Sequence, residues 1–140
     1  QDLESGGFPQ PVVELHEAVR SADALLFAVP EYNYSMSGVL KNAIDWVSRT
    51  YPGESPLAAF KGKVAGLMSA SPGALGGLRG LVHLRAILGN IQVLVIPEQL
   101  AVSSAADAFD LEGQLKDSRQ KQSIESIAAK VVELTRKING

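Results

Sequence analysis

The feature that most constrains how this chain can fold is the run Ala24-Leu25-Leu26-Phe27-Ala28-Val29, apolar at every position and closed by Pro30. A strand with one face in water alternates polar and apolar side chains, whereas a strand covered on both faces does not, so the run predicts a strand covered on both faces in a parallel sheet. Pro30 ends the ladder, because its nitrogen has no hydrogen to donate. Two more short apolar runs follow, Val64-Ala65-Gly66-Leu67-Met68 and Ile91-Gln92-Val93-Leu94-Val95-Ile96, the second stopped by Pro97.

Helical spacings separate these runs. Val12, Leu15, Val19 and Ala22 recur behind Pro11, a residue suited to a first helical turn. From Gly38 to Arg49, the residues Val39, Leu40, Ala43, Ile44 and Val47 share one stripe, opposite Lys41, Asn42, Asp45 and Ser48, with Ser37 placed to cap the helix. Leu78, Leu81, Val82, Leu84, Ile87 and Leu88 form an apolar arc wider than one sheet contact requires, and Gly89-Asn90 ends that helix. The last helix starts near Ser118 and carries Ile124, Ile127, Val131, Leu134 and Ile138. Residues 50–63 hold Pro52, Gly53, Pro56 and Gly62 and read as a connection, with one turn around Leu57–Phe60; residues 101–116 read as polar and irregular. Alternating helices and strands predict an α/β fold, a doubly wound parallel sheet in three layers, α/β/α, within a single domain over residues 1–140.

Composition removes several classes of function. Lys and Arg are scattered and the formal net charge is −2, without the basic stripe of a nucleic-acid binder. There is no cysteine, hence no disulfide framework, thiolate metal site or cysteine nucleophile. No apolar run approaches the roughly 20 residues needed to span a bilayer, and the cytoplasm is the expected compartment. His16 and His83 are the only histidines, and neither adjoins a Gly-x-Ser-x-Gly nucleophile elbow. Arg79 and Arg85 lie on one helix and are within reach of a nucleotide phosphate, although salt bridging is the ordinary use of such residues. Trp46 and Tyr51 read as packing residues, and Asp45 as a solvated or helix-capping carboxylate.

The loop after the first strand has more to say. In open α/β sheets ligands bind beyond the carboxyl ends of the strands, and here Pro30-Glu31-Tyr32-Asn33-Tyr34-Ser35 places polar and aromatic side chains at such an end. A second small-residue loop, Ser69-Ala70-Ser71-Pro72-Gly73-Ala74-Leu75-Gly76-Gly77-Leu78-Arg79, follows the next strand. It has no flanking lysine and is not a Walker motif.

These two segments resemble the signature of the NADPH-dependent FMN reductase family, flavodoxin-like quinone, azo and chromate reductases. The resemblance is carried by Pro30 through Trp46, continues in the second loop and weakens after about Ser103. It implies a flavodoxin-like fold and FMN as cofactor, with NADPH or NADH as hydride donor. It implies that Pro30, Glu31, Tyr32, Asn33, Tyr34 and Ser35 meet the edge and one face of the flavin ring, and that Ser71 and Gly76 belong to a second cofactor-facing loop. No side chain is assigned a catalytic role, since the flavin carries the hydride, and no metal is implied. Small-molecule electron acceptors and a homodimer or homotetramer are the implied partners. Ser37 stands where many relatives have proline, a mild departure because serine can cap the same helix. The family begins earlier, with a strand, a phosphate-gripping loop, a helix and a second strand, so the chain is expected to be N-terminally incomplete. Alternative readings are a flavodoxin-like electron carrier without nucleotide turnover, or a scaffold that binds no cofactor.

Overall fold

The computed structural model describes residues 7–140; of residues 1–10, which are polar and show no strand pattern in the sequence, positions 1–6 lie outside the described residues. Helix α1 (Gln10–Ser21) leads into β1 (Ala24–Val29), then come the short strands β2 (Glu31–Tyr32) and β3 (Ser35–Met36), helix α2 (Gly38–Val47) and strand β4 (Val64–Ala70). Helix α3 (Leu78–Asn90), strand β5 (Leu94–Val102), the single turn α4 (Ala105–Ala108) and the long α5 (Ser118–Asn139) complete the order. Strands β1, β4 and β5 form a parallel sheet in that sequence, with Ala24 opposite Val64 and Val64 opposite Leu94.

Central β4 feeds two cores, because successive side chains of a strand point to opposite faces. Ala65 and Leu67 join Ile44, Val47, Phe60, Leu81, Leu84 and Leu88 on the α2 and α3 side. Val64 packs with Ile96, Ile127 and Val131 beneath α5. Burying each fully enclosed leucine stabilises the fold by roughly 2–3 kcal/mol. Helix α5 comes so close that a Cβ at Gly66 would stand 2.7 Å from Ile127 Cγ2. Helices on both faces of a parallel sheet make the expected three-layer, flavodoxin-like arrangement.

Several local features differ from the sequence expectation. Strand β5 is not stopped by Pro97 but runs through it to Val102. Ala65 faces Val95 while Leu67 faces Gln99, so residues 96–98 bulge past Gly66, and the proline sits where the ladder skips. Arg85 braces that bulge, donating to the Ile96 carbonyl at 2.7 Å and to Gln99 Oε1 at 2.8 Å. The extension also claims residues assigned to the irregular stretch after 100, where α4 and a bridge between Phe109 and Leu115 give further order.

Strand β1 is at the sheet edge among the described residues, and Leu26 is 54% exposed. Its apolar run therefore exceeds the cover these residues supply. Helix α2 ends at Val47 instead of Arg49, and Val39, placed on the apolar stripe by its spacing, is 83% exposed. Helix α3 buries Leu81, Leu84 and Leu88 but leaves Val82 outside, so its arc is only partly covered.

His16 is buried in a tie between elements, its Nδ1 3.1 Å from the Val47 carbonyl and its Nε2 2.7 Å from Glu54 Oε2. Tyr51 stacks on the ring at 3.6 Å. That geometry fastens α1 to the end of α2 and gives this histidine a packing role. Trp46 and Tyr51 likewise pack, both against Phe8, and Asp45 pairs with Lys41 on the surface of α2.

Candidate functional site

The polar loop after Pro30 is a hairpin. Tyr32 pairs with Ser35 and Glu31 with Met36, and the chain reverses through Asn33 and Tyr34 at φ of 48° and 74°. Two successive residues at positive φ are the mark of the hairpin turns whose twist matches that of their strands. Asparagine tolerates this region readily, whereas a tyrosine there is strained. The Arg79 guanidinium lies 3.8 Å above the Tyr34 ring and offsets part of that cost.

Strands of two residues do not hold themselves together in water, so the hairpin depends on what it packs against. Helix α3 supplies the support. Its N-cap, Gly77, has no side chain to bond the first amides. The Glu31 carboxylate does so from outside the helix, accepting from the backbone N–H of Arg79 at 3.2 Å and of Gly80 at 3.4 Å. It also accepts from Arg79 Nε at 2.9 Å and Nη2 at 2.5 Å. Those bonds, the Arg79 side chain first among them, hold the Glu31 carboxyl below the usual carboxylate range and hold the guanidinium above its own. One turn further on, His83 Nδ1 lies 2.9 Å from Ser35 Oγ. Between the two grips Gly80 meets the Ser35 backbone, leaving a Cβ only 3.4 Å of clearance.

The second loop is tied to β5. Buried Ser69 donates its hydroxyl to the Gly76 carbonyl at 2.7 Å. The Ser71 amide donates to the Val102 carbonyl at 3.1 Å, its own carbonyl accepts from Ala105, and its hydroxyl accepts from the Gly73 amide at 3.4 Å. Gly76 and Gly77 have φ of 61° and 90°, and a Cβ on Gly76 would fall 2.6 Å from the Val102 carbonyl carbon. The glycines here serve close backbone packing. Because the Arg79 and Gly80 amides already face Glu31, the start of α3 is not an open anion site.

Beside both loops an apolar cleft of about 390 Å³ runs along the carboxyl ends of the three parallel strands. Pro30, Ser69 and Val102 line it together with Phe109, Leu115 and Ile124. Its size is that of a small-molecule site, and its position is where open α/β sheets hold ligands. A flat ring system with an apolar body and a polar rim suits this combination of cleft and hairpin.

The structure thus brings most of the singled-out residues to one end of the sheet, in different postures. Pro30 borders the cleft; Tyr32, Asn33 and Tyr34 are exposed on the hairpin; Ser35 faces His83; Ser71 and Gly76 lie in the tied loop. Glu31 is turned into α3. Arg85, considered for a phosphate, is spent on backbone and amide oxygens of β5. Sequence reasoning did not find that Arg79 partners both Glu31 and Tyr34, since no local pattern links residues so far apart in the chain. Nor did it find that Phe109 and Leu115 line the cleft beside Ile124 of the last helix; their only signal was an occasional large apolar residue in the polar stretch after 100. Among the described residues no three His, Asp or Glu side chains gather as metal ligands, and no helix is long and apolar enough to cross a membrane.

A family model described as NADPH-dependent FMN reductase matches residues 1–107. A NAD(P)H-dependent FMN reductase of Pseudomonas aeruginosa is 47% identical over 126 residues, covering 89% of this chain and 65% of the relative. A NAD(P)H:quinone oxidoreductase of Solanum tuberosum is 38% identical, covering 99% of this chain and 70% of the relative. Among solved structures, a flavoenzyme NAD(P)H:(acceptor) oxidoreductase from Paracoccus denitrificans superposes with a TM-score of 0.82 at 28% identity, covering 98% of this chain and 73% of that one. The chain spans about two thirds of the length of the first two relatives.

Proposed function

We propose, from the premise that this chain belongs to the NADPH-dependent FMN reductase family, that it forms the ring-holding part of an FMN-dependent NAD(P)H oxidoreductase. The acceptors are small molecules: quinones, azo compounds, chromate or free flavin. One observation carries the reading: a hairpin, braced on α3 by Glu31, lies beside an apolar cleft at the carboxyl edge of a parallel sheet.

The residues fit a flavin. Apolar cleft side chains such as Val29, Leu100 and Val102 offer the ring body an apolar surface, and the hairpin offers its rim polar groups from Tyr32, Asn33, Tyr34, Ser35 and the backbone. Ser71 and Gly76 hold the second loop close to that rim. Since Glu31 is engaged by α3, its contribution is to fix the hairpin, while neighbouring atoms make the ligand contacts. When bound, FMN supplies the hydride chemistry; the protein binds it, orients it and tunes it through hydrogen bonds at its polar edge.

A homodimer or homotetramer is the proposed assembly. The cytoplasm is the proposed compartment. A flavodoxin-like electron carrier is the competing reading, and the near-neutral charge argues mildly against it. FMN titration followed by NADPH oxidation with a quinone separates the two. Flavin bound with turnover above free FMN supports the reductase, flavin bound without turnover supports the carrier, and no flavin bound refutes both for this chain.

A further inference from the structure

We propose that His83 is a positioning residue that decides whether the Ser35 hydroxyl can donate a hydrogen bond to the ligand. The inference rests on the flavin reading above only for the identity of that ligand. Ser35 belongs to the hairpin at the candidate site, and its backbone is held in place by the close approach of Gly80. Its hydroxyl oxygen lies 2.9 Å from His83 Nδ1. His83 itself is exposed, which gives its other ring nitrogen access to water.

A serine hydroxyl has one proton to donate and two lone pairs. When the imidazole is neutral with its proton on Nε2, the bare Nδ1 accepts, and the Ser35 proton is spent on the ring. When the ring is charged, both nitrogens bear protons, so Nδ1 donates to Ser35 Oγ. The hydroxyl proton is then released to point elsewhere. Histidine is the side chain whose charge changes between about pH 5 and 8. Of the other titratable or charged groups at this corner, Arg79 and Glu31 are committed to each other and Tyr34 lies beneath the guanidinium, while Tyr32 stands across the hairpin from Ser35 with its side chain exposed. A flavin rim, rich in ring-nitrogen and carbonyl acceptors, gains from a hydroxyl that donates. The gain is that of one hydrogen bond, about threefold to tenfold in affinity.

Two measurements on the chain test this. The first is nitrogen NMR of the His83 ring from pH 5 to 9 without ligand, assigned by loss of the signals in His83→Asn. The neutral ring is expected to carry its proton on Nε2, with an Nδ1 signal that shifts in Ser35→Ala; a neutral ring protonated on Nδ1 overturns the proposal. The second is FMN affinity at pH 5.5 and 8.5. Wild type is expected to bind about threefold to tenfold more tightly at the lower pH after division by the same ratio for Ser35→Ala, which retains the histidine charge and sees the same phosphate titration. His83→Asn keeps a hydrogen-bonding group without a titration, and its corrected ratio should be flat. Equal ratios in wild type and Ser35→Ala overturn the proposal. Failure of wild type to bind FMN at either pH overturns the flavin reading instead, and the ring-nitrogen measurement then decides the direction of the hydrogen bond.

Discussion

Replacing Gly76 by alanine isolates the tightest backbone contact in the second loop. The residue has φ of +61°, and a Cβ there would meet the Val102 carbonyl carbon, the Ser103 nitrogen and the Ala101 carbonyl carbon at 2.6, 2.7 and 2.8 Å. All three are backbone atoms of β5 and its exit, so none can swing aside as a side chain does. Holding an L residue in the left-handed region costs about 1–2 kcal/mol, and forcing extra carbon into packed structure costs about 1–3 kcal/mol. Alanine recovers roughly 0.4–1 kcal/mol by restricting the unfolded chain. The net expectation for Gly76→Ala is a loss of about 3 kcal/mol. With an m-value of about 2 kcal/mol/M, the urea midpoint falls by about 1.5 M. Gly73→Ala is the internal control. It lies in the same loop, but its new Cβ would meet nothing closer than Ser71 Oγ at 3.8 Å. Its stability should stay within about 0.5 kcal/mol of wild type. Urea unfolding followed by circular dichroism reads both variants. A loss under about 1 kcal/mol for Gly76→Ala, or equal losses for the two, would show that the loop yields and that the clasp on β5 is not what holds it.

Glu31→Gln should lower stability at neutral pH and bring a distinct pH dependence. A carboxyl held low when folded stabilises above its unfolded pKa and loses that contribution as the pH falls through the folded value, so the gap between wild type and variant should narrow below the ordinary glutamate range, about pH 4.3. A gap that stayed constant from pH 7 to 3 would contradict the helix-capping role. Ser69→Ala removes the buried donor to the Gly76 carbonyl and should cost about 1–3 kcal/mol by chemical denaturation; a neutral result would mean that another donor replaces it. Arg85→Leu strips the β5 bulge of its charged donor, with an expected loss of about 1.5–3 kcal/mol. Hydrogen exchange should quicken at residues 99–102 more than at 64–67, and uniform quickening would contradict a local brace.

The layered architecture was legible because hydrophobic periodicity reports which faces a segment must bury. Val64, Ala65 and Leu67 occupy a strand between helices, as their uninterrupted apolar run requires, and the stripe of Ile127 and Val131 lies on the sheet. Pro97 misled because a proline forbids a ladder bond only where the ladder would make one, and the register shift between Ala65 and Leu67 removes that demand. Val39 misled because helical spacing names a stripe, while the width of that stripe actually covered depends on which neighbours arrive.

At the candidate site the division is similar. By itself the sequence determined that a buried strand would deliver Pro30 and a polar aromatic segment to the carboxyl edge of a parallel sheet, because apolar runs, a proline and a helix cap are local signals. Tertiary structure alone decided that this segment is a hairpin, that Glu31 spends its charge on α3, that Arg79 stacks on Tyr34, and that His83 faces Ser35. The bonds to α3 join residues 48 positions apart in the chain. Their geometry follows from how α3 docks on the sheet, which is settled by packing of the whole core and leaves no periodic trace in either segment.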